Sequence, residues 1–458
     1  MQTSIDEVVQ NLRVAKNSEK ACSLLIGAGC SVSAGIPLAN GFVKMIEKDW
    51  PATFRKTEPK SYPALMAALP DGHRRDLVGK QIDDAKINWA HIAIAQLMKN
   101  GYIDRVLTTN FDPLVVCACA MVGEFPAVYD FAASQKFRQA YVPKKAVFHL
   151  HGQRDGFVLL HTEKDVSEHS ETLAPLFHEA GRGRMWLVVG YSGENDPVFR
   201  HLAEVDRFDY GLIWVQYEDS EPKRHIREGL LTEGKGANYL PDYDADRFFV
   251  ELAQQLGCFP PSFVCAPFDH LRDVLGRVTP FELPNKAGQL NIVEQARSRI
   301  DYAETVTNEA IAPIRERVIS ALMSGQYQDA IADINEGALA HDEMLREYVA
   351  AAHVLLGIKI IDAAESKRGD EADRLFERAG QKFNDALRVK PDEYNALFNM
   401  ACLLALRGKE EECRRRLSEY LSPPTPEKLG QIRNDADFDS VRHLPWFLEL
   451  TAGEDALA

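Results

Sequence analysis

Five short apolar runs punctuate the first half of the chain, each closing on small or polar residues: SLLIGAG at 23–29, RVLTTN at 105–110, AVFHLHG at 146–152, MWLVVGYS at 185–192 and GLIWVQY at 211–217. Several are rich in β-branched residues, and longer stretches of helical pattern separate them. Strands alternating with helices predict a mostly parallel sheet covered on both faces. The segment from Gly41 to Asn100 is mostly helical in pattern and intervenes between the first two core strands, where it is expected to form a helical cover.

The stretch TPFELPNKAG at 279–288 bears Pro and Gly, and no further strand signal follows it. Beyond it the chain is helical to near its end. The expected organisation is an α/β domain over residues 1–285 and an all-α domain over 286–458, since 458 residues are too many for one compact core. The second part carries a repeat signature. Gly325, Tyr327 and Ala330 fit the crossover of a tetratricopeptide (TPR) helix pair. Ala379, Phe383, Ala386 and Pro391 fit a second copy with a lengthened first helix, and Leu397, Met400, Ala401, Leu404, Gly408, Cys413 and Leu417 a looser third. A generic helical hairpin bundle is the plainer alternative. Stacked repeats make a curved surface for peptides or subunits, so this half is expected to serve assembly or sensing rather than chemistry. Trp446 is expected to anchor the tail, and Arg414-Arg415-Arg416 to be a solvated or partner-facing surface.

Apolar residues at 45% and charged residues at 26% exclude a disorder-dominated chain. The net charge of -15 argues against a general nucleic-acid surface, which needs clustered Lys and Arg. No run reaches membrane-spanning length, and the first residues lack the apolar core of a signal peptide. The eight cysteines include no CxxC pair, so no structural zinc is expected. His161 with Glu163, and His169 with Glu171, lack a visible third ligand. A cytoplasmic protein with reduced thiols is the expectation.

The candidate chemistry lies at the strand ends. Gly27, Ala28 and Gly29 followed by Ser31 let the chain turn tightly, and bare backbone N–H groups ahead of a helix suit a diphosphate. The dehydrogenase fingerprint GxGxxG is not met, and no Walker-type lysine follows. Three later strand ends carry polar motifs: Asn110 and Asp112 in LTTNFDP, His151 and Gly152 in HLHG, and Gly190, Ser192 and Asp196 in VVGYSGENDP. In an open parallel sheet the carboxyl ends of strands line the ligand crevice. Each motif alone also reads as a turn-maker; together they point to one site.

The order GAGCSVSAGIP, TTNFD, HG and GYS resembles the sirtuin (Sir2) family over about the first 220 residues. The resemblance implies a Rossmann-like fold that binds NAD and cleaves the bond between nicotinamide and ribose. It implies that Gly27, Ala28, Gly29 and Ser31 surround the pyrophosphate and adjoining ribose, with Gly35, Ile36 and Pro37 closing the turn. Asn110 and Asp112 would face the nicotinamide ribose, His151 would act as base, and Gly190 and Ser192 would contact the adenosine side; Asp196 is counted among the binding residues. The zinc ribbon of the deacylases is missing, Leu38-Ala39-Asn40 replaces their acidic-Phe-Arg continuation, and Thr109 stands where Gln is common. A zinc-free domain of this type fused to a helical module is similar to bacterial antiphage effectors that hydrolyse NAD on infection, ending in abortive infection. Such an enzyme implies a homo-oligomer or a separate sensor, ATPase or Argonaute-like subunit. An NAD-dependent deacylase or ADP-ribosyltransferase, and a non-catalytic NAD or ADP-ribose sensor, are the alternatives.

Overall fold

The computed structural model describes residues 1–132, 142–156, 160, 173–194, 196–285, 288–307, 312–332, 334, 339–340, 342–365 and 367–451. The chain divides into two compact units, Met1–Ser262 and Phe263–Ala458.

The first unit is built on seven parallel strands: β1 (Cys22–Ile26), β2 (Ile103–Thr108), β3 (Ala127–Asp130), β4 (Ala146–His149), β5 (Met185–Val189), β6 (Leu212–Val215) and β7 (Ala237–Leu240). They lie in the order β3-β4-β2-β1-β5-β6-β7. Every residue of β1, β2, β4 and β5 is buried, which is why these runs are mostly apolar. From β1 the chain winds first towards β2 and β3, then returns to β5 on the other side, so the direction of winding switches at β1. The register keeps the central strands level: Ile26 pairs with Thr108 and Val189, and Thr108 with His149. Every motif that follows these residues therefore emerges on one row.

β3 and β7 had no counterpart in the sequence reading. Each has four residues at an edge of the sheet, and AVYD is at most half-buried, so neither carries the apolar run of an interior strand.

Five helices between β1 and β2 make the expected cover: Ala39–Asp49, Pro51–Lys56, Tyr62–Ala67, Asp71–Asp83 and Trp89–Lys99. The first, third and fourth share a small core of Phe42, Ile46, Leu65, Met66, Leu77, Val78 and Ile82. Trp89–Lys99 is buried from Ala90 to Met98 and packs against the helix Ala245–Gln255.

The amino end of β2 holds a buried charge cluster. Arg105 Nη2 lies 3.1 Å from Glu179 Oε1, and its Nη1 donates to the Lys144 carbonyl at 2.6 Å. Arg184 donates to Asp104 at 3.0 Å and to the Glu179 carbonyl at 3.1 Å. Each buried charge thus has both an opposite charge and hydrogen bonds, the condition for tolerating it.

The second unit is helical apart from an antiparallel hairpin, β8 (Glu282–Asn285) with β9 (Gly288–Asn291). A strand pair occupies the stretch read as a plain connection, and the units part at Ser262, ahead of it rather than after residue 285. The helix Pro267–Gly276 joins the second unit through ions: Arg272 donates to Asp301 at 2.9 Å and to Glu304, both on the helix Ile292–Thr307. Pro and Gly punctuation does not reveal such a tie.

Ala379, Phe383, Ala386, Leu397, Met400, Ala401, Leu404, Cys413 and Leu417 share one core, formed by the helices Glu343–Glu365, Asp370–Val389, Tyr394–Leu406 and Glu410–Tyr420 with the residues that follow. Gly325 and Gly408 turn the chain between helices at φ 70° and 67°. Trp446 is half-buried against the same core and meets Phe447 edge-on. Among the described residues no helix is long and apolar enough to cross a membrane.

Arg105→Met is expected to cost about 3–5 kcal/mol in a urea titration, because it leaves buried Glu179 with only Arg184 at 3.8 Å as counter-charge; replacing both Arg105 and Glu179 by apolar residues should restore most of the loss. Gly357→Ala should destabilise despite the better helix propensity of alanine. Its Cβ would meet the fully buried Phe383 ring at 2.5 Å, and a thermal melt should show a loss of about 1–3 kcal/mol.

Candidate functional site

The glycine run after β1 makes a close approach to another strand end. A Cβ at Gly27 would lie 2.7 Å from the Gly190 carbonyl oxygen, one at Gly29 2.7 Å from Gly190 Cα, and one at Gly190 2.6 Å from the Cys30 nitrogen. Gly27 N–H donates to the Val189 carbonyl at 3.2 Å and Gly29 N–H to that of Gly190 at 2.8 Å. The backbone that approaches so closely is the end of β5. Gly27, Gly29 and Gly190 are therefore joints between two strands, and none of the three lines the cavity beside them.

That cavity has a volume of about 230 Å³. Its sheet side is made by Ala28, Ser31, Thr109, Asn110, Phe111, Asp112, His151, Glu194 and Asp196, and its other side by Ile36, Pro37, Ala39, Phe42, Tyr62, Pro63, Val78 and Ile82. Leu160 completes the described wall. Of the residues singled out in the sequence, Ala28, Ser31, Ile36, Pro37, Asn110, Asp112, His151 and Asp196 meet here. Gly35 supplies the turn at φ 99° that brings Ile36 and Pro37 to the rim. Ser192 is exposed and lies off the cavity; its carbonyl accepts from His225 Nε2 at 2.9 Å.

Thr108 ends β2 and turns the chain by accepting from the Asn110 amide at 3.0 Å. The Asn110 side-chain amide then donates to the Gly27 carbonyl at 3.2 Å and to Ser31 Oγ at 3.1 Å. Ser31 passes its own hydroxyl proton towards Asp112 Oδ2 at 2.9 Å, and Asp112 Oδ1 accepts from the Leu114 amide at 3.1 Å. All three side chains are buried. Asn110, Ser31 and Asp112 thus form one relay that ties the β1 loop to the β2 loop and fixes the Asp112 carboxylate.

His151 approaches from the end of β4, with Nε2 3.5 Å from Asp196 Oδ1. That is ion-pair range but not a hydrogen bond, and Nε2 has no hydrogen-bond partner among the described residues. Asp196 also caps the helix Pro197–Ala203 by accepting from the Val198 amide at 2.9 Å. Burial pushes the Asp196 carboxyl up, but His151, the Val198 amide and the Tyr191 hydroxyl outweigh it and hold the carboxyl below its ordinary value. Burial, followed by the Asp196 charge, drives the Tyr191 phenol well above its own.

Two further histidines brace the site from behind. His149 donates through Nδ1 to the Asn110 carbonyl at 3.2 Å, and His91 pairs with Asn88, whose amide holds the Cys30 carbonyl at 2.8 Å and Ser33 Oγ at 2.7 Å. Burial lowers the pKa of both, against an opposing pull from the Asn110 carbonyl and Asp130 on His149, and from Asp112 on His91. Sequence reading passed over both histidines, and also the apolar wall from the helical cover, because buried residues on apolar strands and helices look like ordinary core. His161, Glu163, His169 and Glu171 lie outside the described residues. In the second unit Cys402, Asp435 and Asp437 bring three potential ligand atoms together, a trio that spacing arithmetic cannot see. Burial first, then the two carboxylates, push the Cys402 thiol well up, and Asp435 caps the turn at the Asp437 amide at 3.0 Å.

His91 and His149 fold as neutral groups whose pKa lies below the unfolded value of about 6.5. The unfolded chain therefore binds more protons as pH falls, and stability is lost from about pH 6.5 downward, at up to about 1.4 kcal/mol per pH unit per histidine. Urea midpoints between pH 7.5 and 5.5 should show this decline, and His149→Gln should flatten it.

With this geometry in view, residues 104–239 match the family model described as a SIR2-like domain. The chain is 34% identical over 111 residues to an NAD-dependent protein deacetylase of Haloarcula marismortui, covering 24% of this chain and 40% of that one. It is 31% identical over 110 residues to an NAD-dependent protein deacetylase of Bordetella pertussis, covering 23% and 37%. It thus spans about two fifths of the length of these curated relatives. Among solved structures, one described as a Sir2 homolog–NAD complex aligns with 56% of this chain and 95% of its own at 16% identity, with a TM-score of 0.34. The first unit carries a segment similar to the SIR2-like domain, set on a seven-stranded parallel sheet.

Proposed function

We propose that the first unit binds NAD as substrate and hydrolyses it to nicotinamide and ADP-ribose. The observation that carries this is the convergence of Ser31, Asn110, Asp112 and His151, from three strand ends, on one cavity. Its described wall holds three carboxylates, Asp112, Glu194 and Asp196, and no lysine or arginine. That charge suits the cationic end of NAD, where nicotinamide leaves through a transition state with positive character on the ribose. At about 230 Å³ the cavity is smaller than most ligand pockets, which start at roughly 300 Å³, so it encloses the nicotinamide-ribose end rather than the whole dinucleotide. Asp112, fixed by Ser31, places negative charge near the developing cation. His151 is the base, and the apolar wall of the helical cover excludes bulk water.

A protein deacylase would use the same NAD site, and the matched relatives are named NAD-dependent protein deacetylases. Against it stands the lack of any CxxC pair for the zinc ribbon of that class. A regulated enzyme of antiphage defence, silent until a TPR-like second unit meets an oligomer partner or trigger, is our finer reading, supported by the resemblance of the strand-end motifs.

Chromatography of NAD incubated with the purified chain over a range of protein concentrations should show nicotinamide and ADP-ribose without an acyl-lysine peptide. His151→Ala and Asn110→Ala should each lower turnover at least 100-fold, about 2.7 kcal/mol of transition-state stabilisation. NAD loss that requires an acylated peptide would support the deacylase instead.

A further inference from the structure

Asp196, read from its motif as a binding residue, stands against His151. The two come from different strand ends and face each other across 3.5 Å, each with a side chain little exposed. Asp196 cannot easily turn away, because the same Oδ1 caps the following helix. The other fixed carboxylate of the cavity, Asp112, is taken up by Ser31 and the Leu114 amide. Buried Nε2 of His151 has no hydrogen-bond partner among the described residues, and Asp196 is the acceptor within ion-pair reach of it.

We propose that Asp196 is the positioning residue of His151: it keeps the Nε2 proton turned towards itself, so that Nδ1 is the nitrogen that takes a proton during NAD hydrolysis. The proposal rests on the cavity being an NAD site. In the step it serves, the oxygen of water bonds to the ribose carbon, the bond to nicotinamide breaks with its electron pair going to the ring nitrogen, and the water proton passes to Nδ1. Nε2 keeps its own proton, and the imidazolium that forms has Asp196 as counter-ion until the extra proton returns to solvent. A carboxylate holding an imidazole in one tautomer is a general means of making the other nitrogen a base.

Asp196→Asn is the informative variant, because asparagine caps a helix about as well as aspartate and the fold should survive. In full-length protein labelled with ¹⁵N-histidine, neutral His151 should carry its proton on Nε2, and Asp196→Asn should give a mixture of tautomers. In parallel, kcat for NAD should fall about 100-fold with KM changed less than about threefold, and Asp196→Glu should recover at least about tenfold of the loss. An unchanged tautomer in Asp196→Asn overturns the proposal, even in protein that does not turn NAD over. A changed tautomer with wild-type kcat overturns the catalytic role. Absence of turnover by the wild-type chain, with the tautomer shift present, would strike the hydrolase assignment alone.

Discussion

The close approach of two backbones at the carboxyl ends of β1 and β5 is the constraint on which the first unit depends. Gly27 and Gly29 pack on Gly190 with no space for a Cβ on any of them. This lets the two loops leave the sheet side by side at the point where the winding reverses. Asn110 then reaches the Gly27 carbonyl, and Ser31 reaches Asp112, only because the β1 loop is pinned at that height. A side chain at any of these glycines would separate the strands that carry the polar groups. The glycines therefore act on the chemistry at one remove, by placing it.

Charge is distributed along the sheet in a way that divides stability from function. At the amino end of β2, Arg105, Glu179, Asp104 and Arg184 neutralise one another in a buried cluster. At the carboxyl end, Asp112, Glu194 and Asp196 face a cavity whose described wall has no lysine or arginine. Glu194 is offset by Lys223 at 2.9 Å and Asp196 faces His151, whereas Asp112 is held by neutral donors alone, an arrangement that suits a cationic ligand or transition state. The neutral histidines behind the site fit the same logic, since protonating His91 or His149 would place a new charge where no solvent can reach it.

The helical cover contributes what the sheet cannot. Its own small core of Phe42, Leu65, Met66 and Val78 makes it a self-supporting wall. Ile36, Pro37, Tyr62 and Ile82 turn the crevice of an open sheet into a cavity. In the second unit the small residues Ala379, Ala386 and Ala401, with Gly357 under the Phe383 ring, draw helices together.

The interior strands, the polar strand-end motifs, the helical cover and the helical second half were legible in the amino-acid sequence, because fully buried strands read as apolar runs and chemistry at their ends reads as Asn, Asp, His and Gly in fixed order. The short edge strands β3 and β7 and the hairpin β8–β9 were not, since four-residue edges carry too few apolar positions to signal themselves. The parting of the two compact units at Ser262 also escaped notice. Composition alone could not say what the glycines approach; a run of small residues looks the same whether a phosphate or another strand lies against it. Only the tertiary structure decided that Gly190 occupies that space, that Ser192 does not line the cavity, and that Asp196 meets His151. Each of these depends on groups far apart in the chain, and strand register, which no local pattern encodes, brings them level.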